Sequence, residues 1–302
     1  MQLTFATRPS ALARWQTARV IQLLQTAHPG LECSEYVITT TGDRVLDHSL
    51  PEIGRKGLFT SELEDALLSG NVHAAVHSLK DLPVEDTPGI VLAAIPEREA
   101  AYDVLVSADG QTLSDLPAGA RVGTSSPRRT AQMLARRPDL TILPLRGNVD
   151  TRLRKVLSGE YDAIVLAKAG LARLGLQAHI SEVFPLEVML PAPGQGALAV
   201  QCRTDDAKTL ELLAAIHDPI SAAAVNAERA FLLGLGGGCS LPIAAFAEKN
   251  NGQIILTGAV ISADGKQSIR LSAVDKEPHK LGERLAALVL ERGAAELLKA
   301  TV

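Results

Sequence analysis

Aromatic residues make up only 3% of this 302-residue chain, and cysteines number three. So few aromatics leave little material for stacking bases, which argues against a surface for single-stranded nucleic acid. The formal net charge of −4 likewise removes any bulk attraction to polyanions. Cys33, Cys202 and Cys239 are odd in number and far apart, with no Cys-x-x-Cys pair. That spacing excludes a disulfide framework and a zinc finger, and it fits a reducing cytoplasm. The seven histidines form no His-Glu-x-x-His motif and no cluster with carboxylates at ligand spacing, so no metal is expected. No apolar run approaches membrane-spanning length, and Met1 to Arg8 enter a strand-like segment without a basic, then apolar, leader. A soluble chain with no export signal is the expectation.

What is present is apolar material for real cores, 46% hydrophobic against 21% charged, in a chain long enough for two or three domains. Leu3 to Thr7 reads as a strand, followed by Ser10 as N-cap of a helix through Ala27. Glu35 to Thr39 and Ala74 to His77 are further strands, with a capping box of Ser61 and Glu64 opening a helix to about Leu68 between them. Ile90 to Ile95, Val104 to Val106, Arg121 to Gly123, Leu140 to Leu145 and Tyr161 to Ala167 continue the series. Ser126-Pro127 opens one intervening helix and Val149 starts another. This alternation predicts α/β layers with largely parallel sheets. After about Ala197 the pattern changes. A strand from Ala197 to Gln201 leads into helix broken at His217-Asp218-Pro219, then three strands, Pro242 to Glu248, Gln253 to Ser262 and Gln267 to Val274. Asn250-Asn251-Gly252 and Ala263-Asp264-Gly265 are the hairpin turns between them, and a helix from about His279 to Lys299 closes a small α+β domain.

Basic residues gather in short polar segments at the carboxyl ends of predicted strands, where open α/β sheets bind ligands: Arg8 with Ser10, Arg55 with Lys56, Ser126 with Arg128 and Arg129, Arg146, Arg152 with Arg154, and Arg173. Taken singly, such arginines are mostly solvated. Together, with free N–H groups at the helix start after Ser126, they predict an anion site, and planar guanidiniums match carboxylates two-to-two. Lys80 and Asp81 sit in a turn that Pro83 keeps from becoming helix. There Asp81 is the one acid among bases, suited to holding a ligand N–H and stabilising positive charge; the alternative is a turn aspartate paired with Lys80. His77 reads as a satisfied strand histidine, and nothing around Lys80 provides the desolvated pocket a Schiff base needs. Cys239 is flanked by Gly236-Gly237-Gly238 and Pro242, which fits an exposed carrier thiol, while a small apolar gap-filler remains open.

Ala6-Thr7-Arg8-x-Ser10, Gly54-Arg55-Lys56-Gly57-Leu58-Phe59, His77 to Pro83, Gly123-Thr124-Ser125-Ser126-x-Arg128-Arg129, Leu145-Arg146-Gly147-Asn148, Pro193-Gly194-Gln195-Gly196-Ala197 and Gly237-Gly238-Cys239, in that order, closely resemble the porphobilinogen deaminase (hydroxymethylbilane synthase) family. The resemblance spans nearly the whole chain. It implies two periplasmic-binding-protein-like α/β domains around a cleft and a small third domain: 1–96 with 197–215, 97–196, and 216–302, which carries the cysteine. It also implies a transferase of tetrapyrrole biosynthesis, cytoplasmic and monomeric, that adds four porphobilinogen units to a dipyrromethane cofactor held on Cys239 by a thioether. In that family the loss of ammonia gives an electrophilic methylene-pyrrolenine, and hydrolysis finally releases the linear tetrapyrrole.

By motif match Asp81 is catalytic. Lys80, Ser126, Arg128, Arg129 and Arg146 bind cofactor, and Arg8, Ser10, Lys56, Arg152, Arg173 and Gln195 bind substrate. No metal, nucleic acid or membrane partner is implied. Arg55, Glu52 and Gly236 depart from the family pattern, so Glu52 and Arg55 carry no assigned role; Pro127 also departs but suits the first helical position. The rival is a noncatalytic carboxylate-binding protein, which needs neither Cys239 nor Asp81.

Overall fold

The computed structural model describes residues 2–44, 57–237 and 241–299. Lys56, Arg55, Glu52 and Cys239 lie outside the described residues. The chain groups into two compact units, Met1–Glu99 with Ala197–Ala222, and Ala100–Gly196 with Ala223–Val302.

In the first unit β1 (Gln2–Thr7), β2 (Glu32–Val37), β3 (Ala74–Ser78), β4 (Ile90–Ala94) and β10 (Leu198–Arg203) form one sheet in the order β2-β1-β3-β10-β4. Strand β1 runs parallel to β2 and β3, and β10 runs antiparallel between β3 and β4. Alternate residues serve alternate faces, as the two-residue strand period requires. Leu3, Phe5, Ala74 and Val76 pack with Val20 and Leu24 of α1 (Ala11–Ala27). Ala6 and Ala75 pack with Leu63, Ala66 and Leu67 of the helix Ser61–Leu68. Ser10 caps α1 as expected, its Oγ accepting from the Ala13 amide at 3.3 Å. The capping box at Ser61 and Glu64 does not form. Thr60 is the N-cap, the Ser61 hydroxyl donates back to the Gly57 carbonyl, and Glu64 turns away to accept from Gln201 and Thr87. That helix follows a short one, α2 (Thr41–Arg44), and is α3 below.

In the second unit β5 (Asp103–Ser107), β6 (Arg121–Gly123), β7 (Thr141–Leu143), β8 (Ala163–Ala167) and β9 (Glu182–Val183) are ordered β7-β6-β8-β5-β9. Here β6 runs parallel to β7 and β8, and β5 is antiparallel to both of its neighbours, β8 and β9. Each α/β sheet is therefore mixed, not largely parallel, and in each the antiparallel strand is the first one laid down after the chain changes unit. Helices α4 (Pro127–Arg136), α5 (Val149–Leu157) and α6 (Lys168–Arg173) cover this sheet. Met133 of α4 packs with Leu105, Val122 and Val165 on one face, while Leu153 and Val156 of α5 pack with Val104, Val106 and Ile164 on the other.

Helix α7 (Ala207–Ala214) belongs to the first unit, and α8 (Pro219–Gly234) leads on to the antiparallel meander β11 (Ile243–Asn250), β12 (Gln253–Ile261) and β13 (Ser268–Asp275). Phe231 of α8 and Leu281, Leu285 and Val289 of α9 (Pro278–Glu291) form its own core, each large side chain contributing about 2 kcal/mol of burial. The single C-terminal helix expected from His279 to Lys299 is in fact two, α9 and α10 (Ala294–Lys299), parted where Gly293 takes φ 94°. The meander also packs on α4: Ala244, Ala259 and Ile261 meet Ala131 and Leu190.

Candidate functional site

Polar loops leave the carboxyl ends of the parallel strands in both units. In the first, β3 ends at Ser78 and passes straight into a 3-10 turn, Leu79–Asp81. Leu79 is buried and its amide donates to the Ala197 carbonyl at 3.0 Å, which anchors the turn while Lys80 is half-buried and Asp81 exposed. From below, Gln16 of α1, 3% exposed, donates to the Ser78 hydroxyl at 2.8 Å. Arg8, just past β1, lies 4.3 Å over the Phe59 ring and gives Nε and Nη2 to Asp43. Burial pushes the Asp43 carboxyl up, but Arg8 and the Thr40 hydrogen bonds outweigh it and hold the pKa below the usual range. His77 is 5% exposed, its Nε2 has no hydrogen-bond partner among the described residues, and burial draws its pKa down to about 4 against the raising influence of Gln201. It is thus a neutral, buried residue of β3, though not the fully satisfied one expected from sequence.

In the second unit three loops are tied together. The Thr124 amide donates to the Leu143 carbonyl at 2.9 Å, and the Ser125 hydroxyl both accepts from and donates to the Leu145 backbone at 2.9 Å. This places the half-buried Arg146 beside the start of α4, whose N-cap is Ser126 and whose first residue is Pro127. Arg152 closes the neighbouring turn by donating to the Gly147 carbonyl at 2.7 Å. Gly147, at φ 104°, leaves no room for a side chain, since an added Cβ would come within 2.8 Å of Thr151.

Arg128 and Arg129, expected at an open anion site, are instead 4% and 6% exposed and converge on Asp103 at the head of β5. Arg128 Nη1 reaches Oδ2 at 2.7 Å and the Leu190 carbonyl at 2.8 Å. Arg129 gives Nη2 and Nε to Oδ1 at 2.7 and 3.1 Å, and Nη1 to the Val165 carbonyl at 2.9 Å. Gln195, fully buried, donates to the same Oδ1 at 3.0 Å and to the Ala101 carbonyl at 2.6 Å. Burial lowers the Arg128 pKa; Asp103 opposes that, and the like charge of Arg129 adds to it. Its Nε is buried with no hydrogen-bond partner among the described residues. Arg173, 7% exposed, donates to the Gly196 carbonyl at 2.7 Å, and Glu228 of α8 accepts from the Gly194 and Ala247 amides at 2.7 Å.

Sequence reading missed Asp103, Glu228, Gln16 and Asp43. The available signal was polarity out of place: Asp103 heads an otherwise apolar strand, and Glu228 interrupts an apolar helix. Burial disfavours the thiolate at both described thiols. Cys202 is fully buried in the sheet, which pushes its pKa up to about 11, and burial raises Cys33 as well. Among the described residues no cluster of His, Cys, Asp or Glu could hold a metal, and no helix is long and apolar enough to cross a membrane.

A family model described as porphobilinogen deaminase, dipyromethane cofactor binding domain, matches residues 3–211, and one for the porphobilinogen deaminase C-terminal domain matches 222–291. Curated relatives match end to end. The porphobilinogen deaminase of Syntrophotalea carbinolica is 49% identical over 99% of this chain and 95% of its own, and that of Brevibacillus brevis is 49% identical over 97% and 95%. The porphobilinogen deaminase of Roseiflexus sp. is 50% identical over 98% of each. Among solved structures, the Bordetella pertussis BvgS VFT2 domain aligns with 71% of this chain and 86% of its own at 18% identity and a TM-score of 0.43, a likeness from which nothing about ligand or activity follows.

Proposed function

Because the chain belongs to the porphobilinogen deaminase family, we propose that Cys239 carries that family's dipyrromethane cofactor through a thioether and that the enzyme acts as a transferase, a cytoplasmic monomer. The family's activity is the stepwise condensation of four porphobilinogen units onto this primer, with loss of ammonia and release of hydroxymethylbilane, in tetrapyrrole biosynthesis. Bound to the chain, dipyrromethane supplies a pyrrole carbon to which units are added.

The observation that carries the reading is the buried pair Arg128 and Arg129 at the first turn of α4, two guanidiniums on one Asp103 carboxylate, with no partner for Arg128 Nε among the described residues. Burial makes an uncompensated cation costly, and a carboxylate ligand beside a helix N-terminus relieves it. Lys80, Ser126, Arg128, Arg129 and Arg146 hold the cofactor's carboxylates in this reading. Arg8, Ser10, Lys56, Arg152 and Arg173 hold the substrate's. Gln195, buried on Asp103, acts by fixing its own loop. Exposed Asp81, on a turn anchored at its start through Ser78 and Leu79, accepts from pyrrole N–H and stabilises the cation left on porphobilinogen as ammonia departs, a task worth about 3 kcal/mol.

Cys202 is buried in the first sheet and Cys33 lies partly exposed on its edge strand β2, with burial raising the pKa of both thiols, which supports Cys239 as the carrier. We assign the cofactor cysteine to a domain 216–302 beside α/β domains 1–96 with 197–215 and 97–196. The test is the intact mass of wild type and Cys239→Ser under reducing conditions. A surplus of two linked pyrrole units, present in wild type and absent from the variant, supports the assignment. A surplus retained in Cys239→Ser overturns it.

A further inference from the structure

Resting on the reading that Arg128 and Arg129 meet the cofactor's carboxylates, we propose that Asp103 is the positioning residue of that recognition. Its side chain is fully buried, and it ties its own strand to two separate segments: the first turn of α4 through Arg128 and Arg129, and the loop before β10 through Gln195. Four donors between 2.7 and 3.1 Å fall on its two oxygens. The placement follows from topology. Strand β5 is antiparallel to β8, so its first residue, opposite Ala167, stands at the carboxyl edge of the parallel strands, where the loops carrying Ser126 and Arg146 begin. Alternation along β5 puts Asp103 on the face of Leu105, the face covered by α4.

Charge makes the residue specific. Two neighbouring guanidiniums repel, and a shared carboxylate holds them together while cancelling only one of their two charges. The pair is thereby aligned yet still cationic. Asparagine would present an amide N–H to donors that need an acceptor, and glutamate would carry the charge one methylene further in a fully buried space. Asp103 touches neither cofactor nor substrate in this assignment; it acts through the arginines.

The experiment compares wild type, Asp103→Asn, Asp103→Glu and Arg128→Leu. For each, thermal unfolding is recorded, primer uptake by the apoprotein from porphobilinogen is followed by intact mass, and KM and kcat are measured on the loaded fraction. The expected result for Asp103→Asn is primer uptake slowed tenfold or more, with kcat of the loaded fraction lowered tenfold or more and KM within threefold of wild type. Asp103→Glu, which moves the charge without deleting it, is expected to lower kcat at least threefold. A purely structural aspartate would lower the melting temperature and the loaded fraction while leaving kcat of the loaded fraction at the wild-type value. Wild-type uptake and kcat in whichever Asp103 variant folds would overturn the proposal. The underlying site reading fails separately, if Arg128→Leu takes up primer and turns over like wild type.

Discussion

Gln16 in the second turn of α1 donates its side-chain N–H to the Ser78 hydroxyl at 2.8 Å, so a buried helix residue holds the last residue of β3 just where the chain turns into Lys80 and Asp81. Replacing it removes a buried hydrogen bond and the alignment it provides. Gln16→Leu is expected to cost about 1–2 kcal/mol by chemical denaturation, since Ser78 loses its donor. A fall of about tenfold in kcat/KM, equivalent to about 1.4 kcal/mol, should accompany it in steady-state assays. Unchanged kinetics in a destabilised variant would confine Gln16 to the core.

Asp81 separates activity from stability. It is exposed, and substitutions at such positions stay within about 0.5 kcal/mol of wild type. Asp81→Ala should therefore unfold with wild type and carry the primer by intact mass. Turnover should fall by about two orders of magnitude, the loss of about 3 kcal/mol of charge stabilisation. Wild-type turnover would remove it from the mechanism.

His77 gives the protein an acid-sensitive first sheet. Its pKa is about 4 folded, against 6.5 unperturbed, so between these values the unfolded chain binds the additional proton. Stability is fully present above about pH 6.5 and declines as pH falls toward 4, by about 2 kcal/mol at pH 5. Urea denaturation at pH 7.5 and pH 5 should show that loss in wild type, and His77→Gln should flatten it. An equal loss in both proteins would assign the acid sensitivity elsewhere.

Gly265 sits in the turn between β12 and β13 against α4. An added Cβ would come within 2.4 Å of the Ala131 carbonyl oxygen and 2.5 Å of the Ala135 amide, and φ is 75°. Gly265→Ala is expected to destabilise by about 2 kcal/mol through strain and displaced backbone. Because α4 carries Arg128 and Arg129, primer uptake measured by intact mass should slow as well. Wild-type stability would mean that the hairpin tip yields freely.

The parts of the fold that local chemistry dictates were legible in the sequence. Ser10 and Ser126 cap their helices because a hydroxyl before a helical run has few other uses, and Pro127 stands where its missing N–H costs nothing. What local chemistry leaves open was misread. Strand direction is not written in apolar alternation, so the antiparallel runs of β5 and β10 were missed, and with them the place of Asp103 at the ligand edge. Ser61 and Glu64 have capping-box spacing, yet Glu64 is drawn to Gln201 and Thr87, partners far away in sequence. The arginines were found as a group because their count and location are sequence properties. That Arg128 and Arg129 are buried on a common carboxylate depends on a residue some 25 positions earlier, which only the folded chain brings to them.

The place of β10 also bears on how the protein is made. Strand β4 is joined to β3 only through β10, which leaves the ribosome roughly a hundred residues after it, on the order of ten seconds later at ordinary elongation rates. Until then β3 has an open edge and β4 has no ladder to join, while the intervening residues of the second unit can already form their own sheet. The amino-terminal sheet is thus begun first and finished late. A chain truncated before Leu198 should accordingly expose β3 as a sticky edge and aggregate.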